Sequence, residues 1–286
     1  MALLLSPWVA QGAARQYTVT TPEGVTLAVQ EQGPADAPAI VFVHGLLGSR
    51  LNWEAQLSSP QLAGYRLITY DLRGHGLSGK PTQAQAYRDG MRWADDLATV
   101  LKATQAGNAT LVGWSLGGVV ISNYLARHGD AGLAGVVYVD GVIELKPELI
   151  LPHPTVYRDL VSDDLGTHLD AIGTFLRLCF ATPPPASVFE RLLANAAMAS
   201  WDMQRAVQGM SVDLAGLRAT RRPVLLLYGG RDALVDTPAT LARARQLQPR
   251  AQTRLYPQAG HAPFLEDTER FNDDLADFVS KAQPVR

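Results

Sequence analysis

The sequence predicts an α/β fold: a mostly parallel central sheet flanked by helices, with a helical segment inserted late in the chain. Three observations predict it. The runs Ile40–Val43, Ala109–Val112, Leu133–Val139 and Pro223–Tyr228 are apolar on both faces, as expected of strands inside a parallel sheet covered on both sides. Helical periodicities fall between them, as at Ala86–Thr104, where Trp93, Leu97, Val100 and Leu101 share one stripe. The alternation then stops at about Val142 and resumes after Leu214. On this reading, residues 17–141 and 215–286 form the core, 142–214 a helical cap inserted after the sixth strand, and 1–16 an N-terminal segment. With 286 residues, 47% of them hydrophobic, the chain is long enough for one large core and a smaller lobe.

Residues 1–16 read as an N-terminal arm or a weak signal-like segment. Met1–Ala10 is apolar and Ala10-Gln11-Gly12 has a small-x-small pattern, but Pro7 interrupts the run and no Lys or Arg precedes it. A cytoplasmic location is expected, and a periplasmic or secreted one is the alternative raised by this apolar start. Tyr17–Thr20 and Val25–Glu31 alternate as strands about the turn Pro22-Glu23-Gly24, an antiparallel hairpin at a sheet edge. Ile40–Val43 ends in His44-Gly45-Leu46-Leu47-Gly48-Ser49, a turn that aims the next N–H groups into the mouth of the sheet. Trp53 is expected to begin a short helix. Arg66–Tyr70 is the next strand, and in the Gly-rich loop after it Asp71 and Arg73 are expected to pair.

Ala109–Val112 leads into Gly113-Trp114-Ser115-Leu116-Gly117, and Val119–Arg127 reads as a helix. A strand that turns at once into a helix pushes the turn residue outward, and Gly two positions to either side relieves the crowding. After Leu133–Val139 comes Asp140-Gly141. Helices are expected in the insertion at Thr155–Leu160, His168–Phe180, Ala186–Met198 and Ser200–Val212. Pro223–Tyr228 ends in a loop carrying Asp232, Pro238–Leu247 is a helix, and Thr253–Tyr256 a last strand ending in Gly260-His261. Thr268–Lys281 closes the chain as a helix, with Phe271, Leu275 and Phe278 inward.

Ser115, Asp232 and His261 thus stand at the carboxyl ends of separate strands, the edge of an open α/β sheet where ligands bind. A Ser hydroxyl needs a base within hydrogen-bond reach to act as a nucleophile. A His supplies one near neutral pH, and a carboxylate fixes its tautomer. Asp140, also after a strand, competes with Asp232 for that last role. The N–H groups of Leu46 and Leu116 are the candidate oxyanion donors. Trp114 and Leu234 from the core, with Phe175 and Trp201 from the cap, are the candidate substrate-binding residues.

Composition excludes other classes. Net charge is −2, and no Lys or Arg run suggests nucleic acid. No apolar stretch is long enough to span a membrane. The lone Cys179 allows no internal disulfide and no Cys-based metal site. No His-Glu-x-x-His run suggests a metal, and no Gly-x-Gly-x-x-Gly follows the first buried strand, so a dinucleotide fold lacks its phosphate turn. The oligomeric state leaves no signature.

Across these motifs the chain resembles the α/β-hydrolase fold family over nearly its whole length. The matching elements are His44-Gly45, Asp71-Leu72-Arg73-Gly74-His75-Gly76-x-Ser78, Gly113-Trp114-Ser115-Leu116-Gly117-Gly118, Gly230-Arg231-Asp232 and Gly260-His261, in that order. Within the family it is most similar to cap-bearing carboxylesterases and to the cofactor-free haloperoxidase (perhydrolase) group. The resemblance implies a catalytic triad of Ser115, Asp232 and His261, an oxyanion hole at Leu46 and Leu116, and a lid near residues 142–214. It further implies a small-molecule ester substrate and no cofactor. Lactone hydrolysis and perhydrolysis use the same site and stay open, as does a non-enzymatic ligand receptor. Ser at the nucleophile position departs from the dehalogenases and epoxide hydrolases, which use a carboxylate there.

Overall fold

A computed structural model describes residues 14–282. Most of the N-terminal segment, for which an arm or export signal was expected, lies outside the described residues. The strands are β1 (Arg15–Thr20), β2 (Thr26–Gln32), β3 (Ala39–Val43), β4 (Arg66–Tyr70), β5 (Ala109–Trp114), β6 (Leu133–Val139), β7 (Val224–Gly229) and β8 (Gln252–Tyr256). They form one eight-stranded sheet in the order β1-β2-β4-β3-β5-β6-β7-β8. β1 and β2 pair antiparallel, as does β2 with β4; every later pair is parallel. β3, β5 and β6 are buried at every position, which is why their sequences are apolar throughout.

The helices are α1 (Glu54–Leu57), α2 (Gln85–Arg88), α3 (Gly90–Thr104), α4 (Leu116–His128), α5 (Pro154–Asp159), α6 (Leu165–Leu178), α7 (Ala186–Ala196), α8 (Trp201–Val207), α9 (Ala215–Ala219), α10 (Thr237–Leu247), α11 (Pro263–Glu266) and α12 (Thr268–Ala282). Several starts differ from the sequence expectation because a side chain caps a helix there. The stretch 86–104 divides at Asp89, whose carboxylate accepts the Met91 N–H and opens α3. Trp53 does not begin a helix. It ends a 3-10 turn, Arg50–Trp53, in which Ser49 and Asn52 form a reciprocal capping box. In the segment between β6 and β7, Asp164 caps α6 and Ser200 caps α8.

Because β3 to β8 run parallel, their carboxyl ends share one edge. The segment that follows β6 is stitched across that edge: Leu151 N–H donates to Leu234 O at 2.9 Å, and Asp236 N–H to Leu149 O at 2.9 Å. The segment after β6 is therefore tied to the loop after β7.

Candidate active site

Ser115 sits between β5 and α4 with φ 52° and ψ −117°, a left-handed conformation that costs a side-chain-bearing residue about 1–3 kcal/mol. The surroundings hold it there. Its N–H donates to Val139 O at 3.0 Å, and its carbonyl accepts from Gly118 and Val142 at 2.9 Å each. The flanking glycines are required by close approach. A Cβ on Gly117 would lie 2.4 Å from Val43 O, and one on Gly113 would lie 2.6 Å from Gly117 O. The Ser115 hydroxyl makes no capping bond, so it is free for other chemistry.

His261 is 1% exposed, and its Nδ1 lies 2.7 Å from Asp232 Oδ2. The other carboxylate oxygen of Asp232 accepts the N–H groups of Leu234 at 2.8 Å and Val235 at 3.1 Å. That grip fixes the carboxylate, which in turn makes Nδ1 the protonated nitrogen and leaves the Nε2 lone pair open. Nε2 is buried and has no partner among the described residues. Ser115 and His261 line the same cavity.

Leu46 and Leu116 line this cavity too, and neither backbone N–H has an acceptor among the described residues. Leu116 is the first residue of α4, where an N–H has no partner within the helix. Leu46 precedes Leu47, which holds φ 59° and lets the chain turn beneath the sheet edge.

Of the residues expected to touch substrate, Leu234 and Phe175 line the cavity. Trp114 and Trp201 do not. Trp114 instead donates its Nε1–H to the carbonyl of His261 at 2.7 Å and packs on Phe264 at 5.1 Å between centroids. It braces the His loop from below. Trp201 stacks on His168 at 4.3 Å between centroids within the β6–β7 segment. The cavity has a volume of about 320 Å³ and is lined mainly by apolar groups. Tyr157, Ile150 and Leu160 belong to it and had no sequence signal beyond their place in the insertion. Burial pushes the Tyr157 phenol up to about 12.

The neighbouring loops are braced by buried polar groups. His44 Nε2 accepts the Leu72 N–H at 2.9 Å and its Nδ1 contacts Gly45 O at 2.8 Å. Burial lowers His44 to about 4 and His75 to about 3, so both stay neutral and support the loops. The expected Asp71–Arg73 pair is absent. Asp71 accepts from Arg50, whose N–H lies 2.8 Å away. Arg73 forms a two-pronged bond with Asp96, at 2.6 and 2.7 Å. A further anchor, missed in the sequence, is Glu266. Its oxygens accept Gly260 N–H at 2.8 Å, and Ala181 and Thr182 N–H at 2.9 Å each. The one available signal was a carboxylate five residues after His261.

Asp140, the competitor for the acid role, is fully buried with φ 41°, and its Oδ1 accepts the Gly229 N–H at 2.8 Å. One ligand-type atom each of Asp140, Asp232 and His261 lie within 4.8 Å of one another. Among the described residues this is the one cluster that could surround a cation, and the hydrogen bonds of Asp232 already account for its arrangement.

The model of the alpha/beta hydrolase fold family matches residues 38–268. The chain belongs to that family. Among solved structures of alpha/beta hydrolases, it is 62% identical to a Burkholderia cenocepacia protein provisionally described as an aryl esterase, with a TM-score of 0.93 over 94% of this chain and 99% of that one. It is 29% identical to a bifunctional esterase/perhydrolase of Acinetobacter calcoaceticus over 91% of this chain and 98% of the relative. It is also 29% identical to a non-heme chloroperoxidase of Kitasatospora aureofaciens, over 92% and 98% of the two chains. Among the described residues, no helix is long and apolar enough to cross a membrane.

Proposed function

We propose that this alpha/beta hydrolase is a serine esterase that cleaves carboxylic esters of small to medium, mainly apolar substrates through an acyl-enzyme on Ser115. The observation that carries the reading is the meeting, in one cavity, of a free Ser115 hydroxyl and a His261 imidazole oriented by Asp232. His261 Nε2 takes the hydroxyl proton as Ser115 attacks the ester carbonyl. The tetrahedral oxyanion sits on the Leu46 and Leu116 N–H groups, each worth about 3 kcal/mol to the transition state. His261 then protonates the leaving alcohol; it next takes a proton from water as the water oxygen attacks the acyl carbon, and returns that proton to Ser115 Oγ as the acid leaves. Leu234, Phe175, Ile150 and Leu160 hold the apolar parts of the substrate. The kinship with the protein provisionally described as an aryl esterase supports an aromatic group on one side of the ester.

The test is labelling with a fluorophosphonate, followed by peptide mapping. Attachment at Ser115, absent from Ser115→Ala, is expected. A protein that hydrolyses esters but carries the label elsewhere would refute the assignment.

The esterase/perhydrolase relative favours a second use of the same site. Hydrogen peroxide in place of water would attack the acyl-Ser115, releasing a peracid and the free hydroxyl. Peracid formation from acetate and peroxide measures this directly.

A further inference from the structure

We propose that Asp140 works as a carboxylic acid rather than a carboxylate, and that its proton positions the Asp232 carboxylate against His261. The proposal rests on the esterase reading of the site and assigns a role to a residue outside the triad.

The argument starts from crowding. Asp140 and Asp232 are both buried, with side-chain exposure of 0% for Asp232, and an oxygen of each lies within 4.8 Å of the other. Two carboxylates this close in a dry site cannot both be ionised, so one proton is shared between them. Hydrogen bonds decide where it rests. Asp232 receives three N–H donors, from Leu234, Val235 and His261, each of which favours the charged form. Asp140 receives one, from Gly229, and no donor among the described residues reaches its Oδ2. The proton therefore belongs on Asp140 Oδ2, with Asp232 as the acceptor beside it.

The other titratable groups agree. Around Asp140 stand Asp232, His261, Tyr228 on β7 and, farther off, Glu266. Tyr228 is neutral, its phenol pushed up by burial, and its O–H donates a hydrogen bond to Gly141 O at 2.5 Å. Among the described residues no Lys or Arg offsets a second negative charge here. Burial and the neighbouring Asp232 charge push Asp140 well above the usual carboxylate range.

The consequence is catalytic poise. A neutral Asp140 leaves one negative charge beside His261, enough to stabilise the imidazolium that forms when Ser115 gives up its proton. A second negative charge beside an imidazole favours its protonated form, which cannot accept that proton. Positive φ at Asp140 fits a fixed placement, held by its N–H on Leu227 O at 2.8 Å.

The experiment has two arms. In the kinetic arm, Asp140→Ala removes the proton donor and lowers kcat/KM about tenfold. Asp140→Asn, neutral and of the same shape, recovers most of that loss, and its acid limb in kcat/KM stays where the wild type has it. An acid limb moved down by about one pH unit or more in Asp140→Asn would overturn the proposal, because only the loss of a negative charge lowers it. In the infrared arm, isotope-labelled Asp in the wild type shows the carbonyl stretch of a buried carboxylic acid at neutral pH, absent from Asp140→Asn. The infrared arm needs no activity. A wild type that cleaves no ester refutes the esterase reading while the band still decides the state of Asp140. A wild type that cleaves esters but lacks the band refutes this proposal alone.

Discussion

At the scale of single residues, the site combines a strained Ser115 with groups kept from ionising. Ser115, Leu47 and Asp140 all have positive φ and all follow strands of the same sheet edge. Such strain persists where surrounding structure over-determines it, which fits a preorganised site. His44 and His75 give a pH prediction. Both lie below the ordinary value of 6.5 in the folded chain, at about 4 and about 3, so the unfolded chain takes up protons first. Their contribution is full above about pH 6.5 and is lost as pH falls toward these values. Thermal unfolding is therefore expected at a lower temperature at pH 5 than at pH 7, and equal Tm values would contradict it. Ser115 and Asp232 stood out in the sequence because each follows an apolar strand and a Gly-marked turn, and His261 because it follows Gly260 after the last strand. Trp114 was misread because sequence cannot say which side of the sheet edge a residue beside a positive-φ turn will face. Here it faces the His loop.

At the scale of elements, the inner strands β3, β5, β6 and β7 were readable because burial on both faces demands uninterrupted apolar runs. Helix starts were less so, since Asp89 and Ser200 act through one hydrogen bond each, which periodicity does not register. The partners of Asp71 and Arg73 were hidden for another reason: Arg50 and Asp96 come from elements that only the folded chain brings near. Glu266 joins two elements, the His261 loop through Gly260 and the residues after α6 through Ala181 and Thr182. Glu266→Ala leaves three N–H donors without that acceptor. It is expected to destabilise the fold by about 2 kcal/mol and to lower kcat/KM about tenfold by loosening His261. Thermal unfolding and ester kinetics check both. A variant that loses stability but keeps full kcat/KM would show that the His loop holds its place without this anchor.

At the scale of the whole molecule, a parallel sheet gathers the ends of β3, β5, β6, β7 and β8 on one edge, and residues of the β6–β7 segment line the cavity there. That topology was legible in the order of the motifs along the chain. The shape of the β6–β7 segment was not, because short helices broken by prolines pack by side-chain fit that no local pattern encodes. The resulting cavity of about 320 Å³ is at the small end of ligand sites. It argues for short or aromatic acyl and alcohol groups. The most direct test of the central claim is hydrolysis of p-nitrophenyl esters from acetate to laurate by the wild type and by Ser115→Ala. The account predicts wild-type rates highest for short and medium chains, and a fall of about 10⁴-fold or more in kcat for the variant. Wild-type activity that persists in Ser115→Ala, or a wild type inert toward every ester, would contradict it.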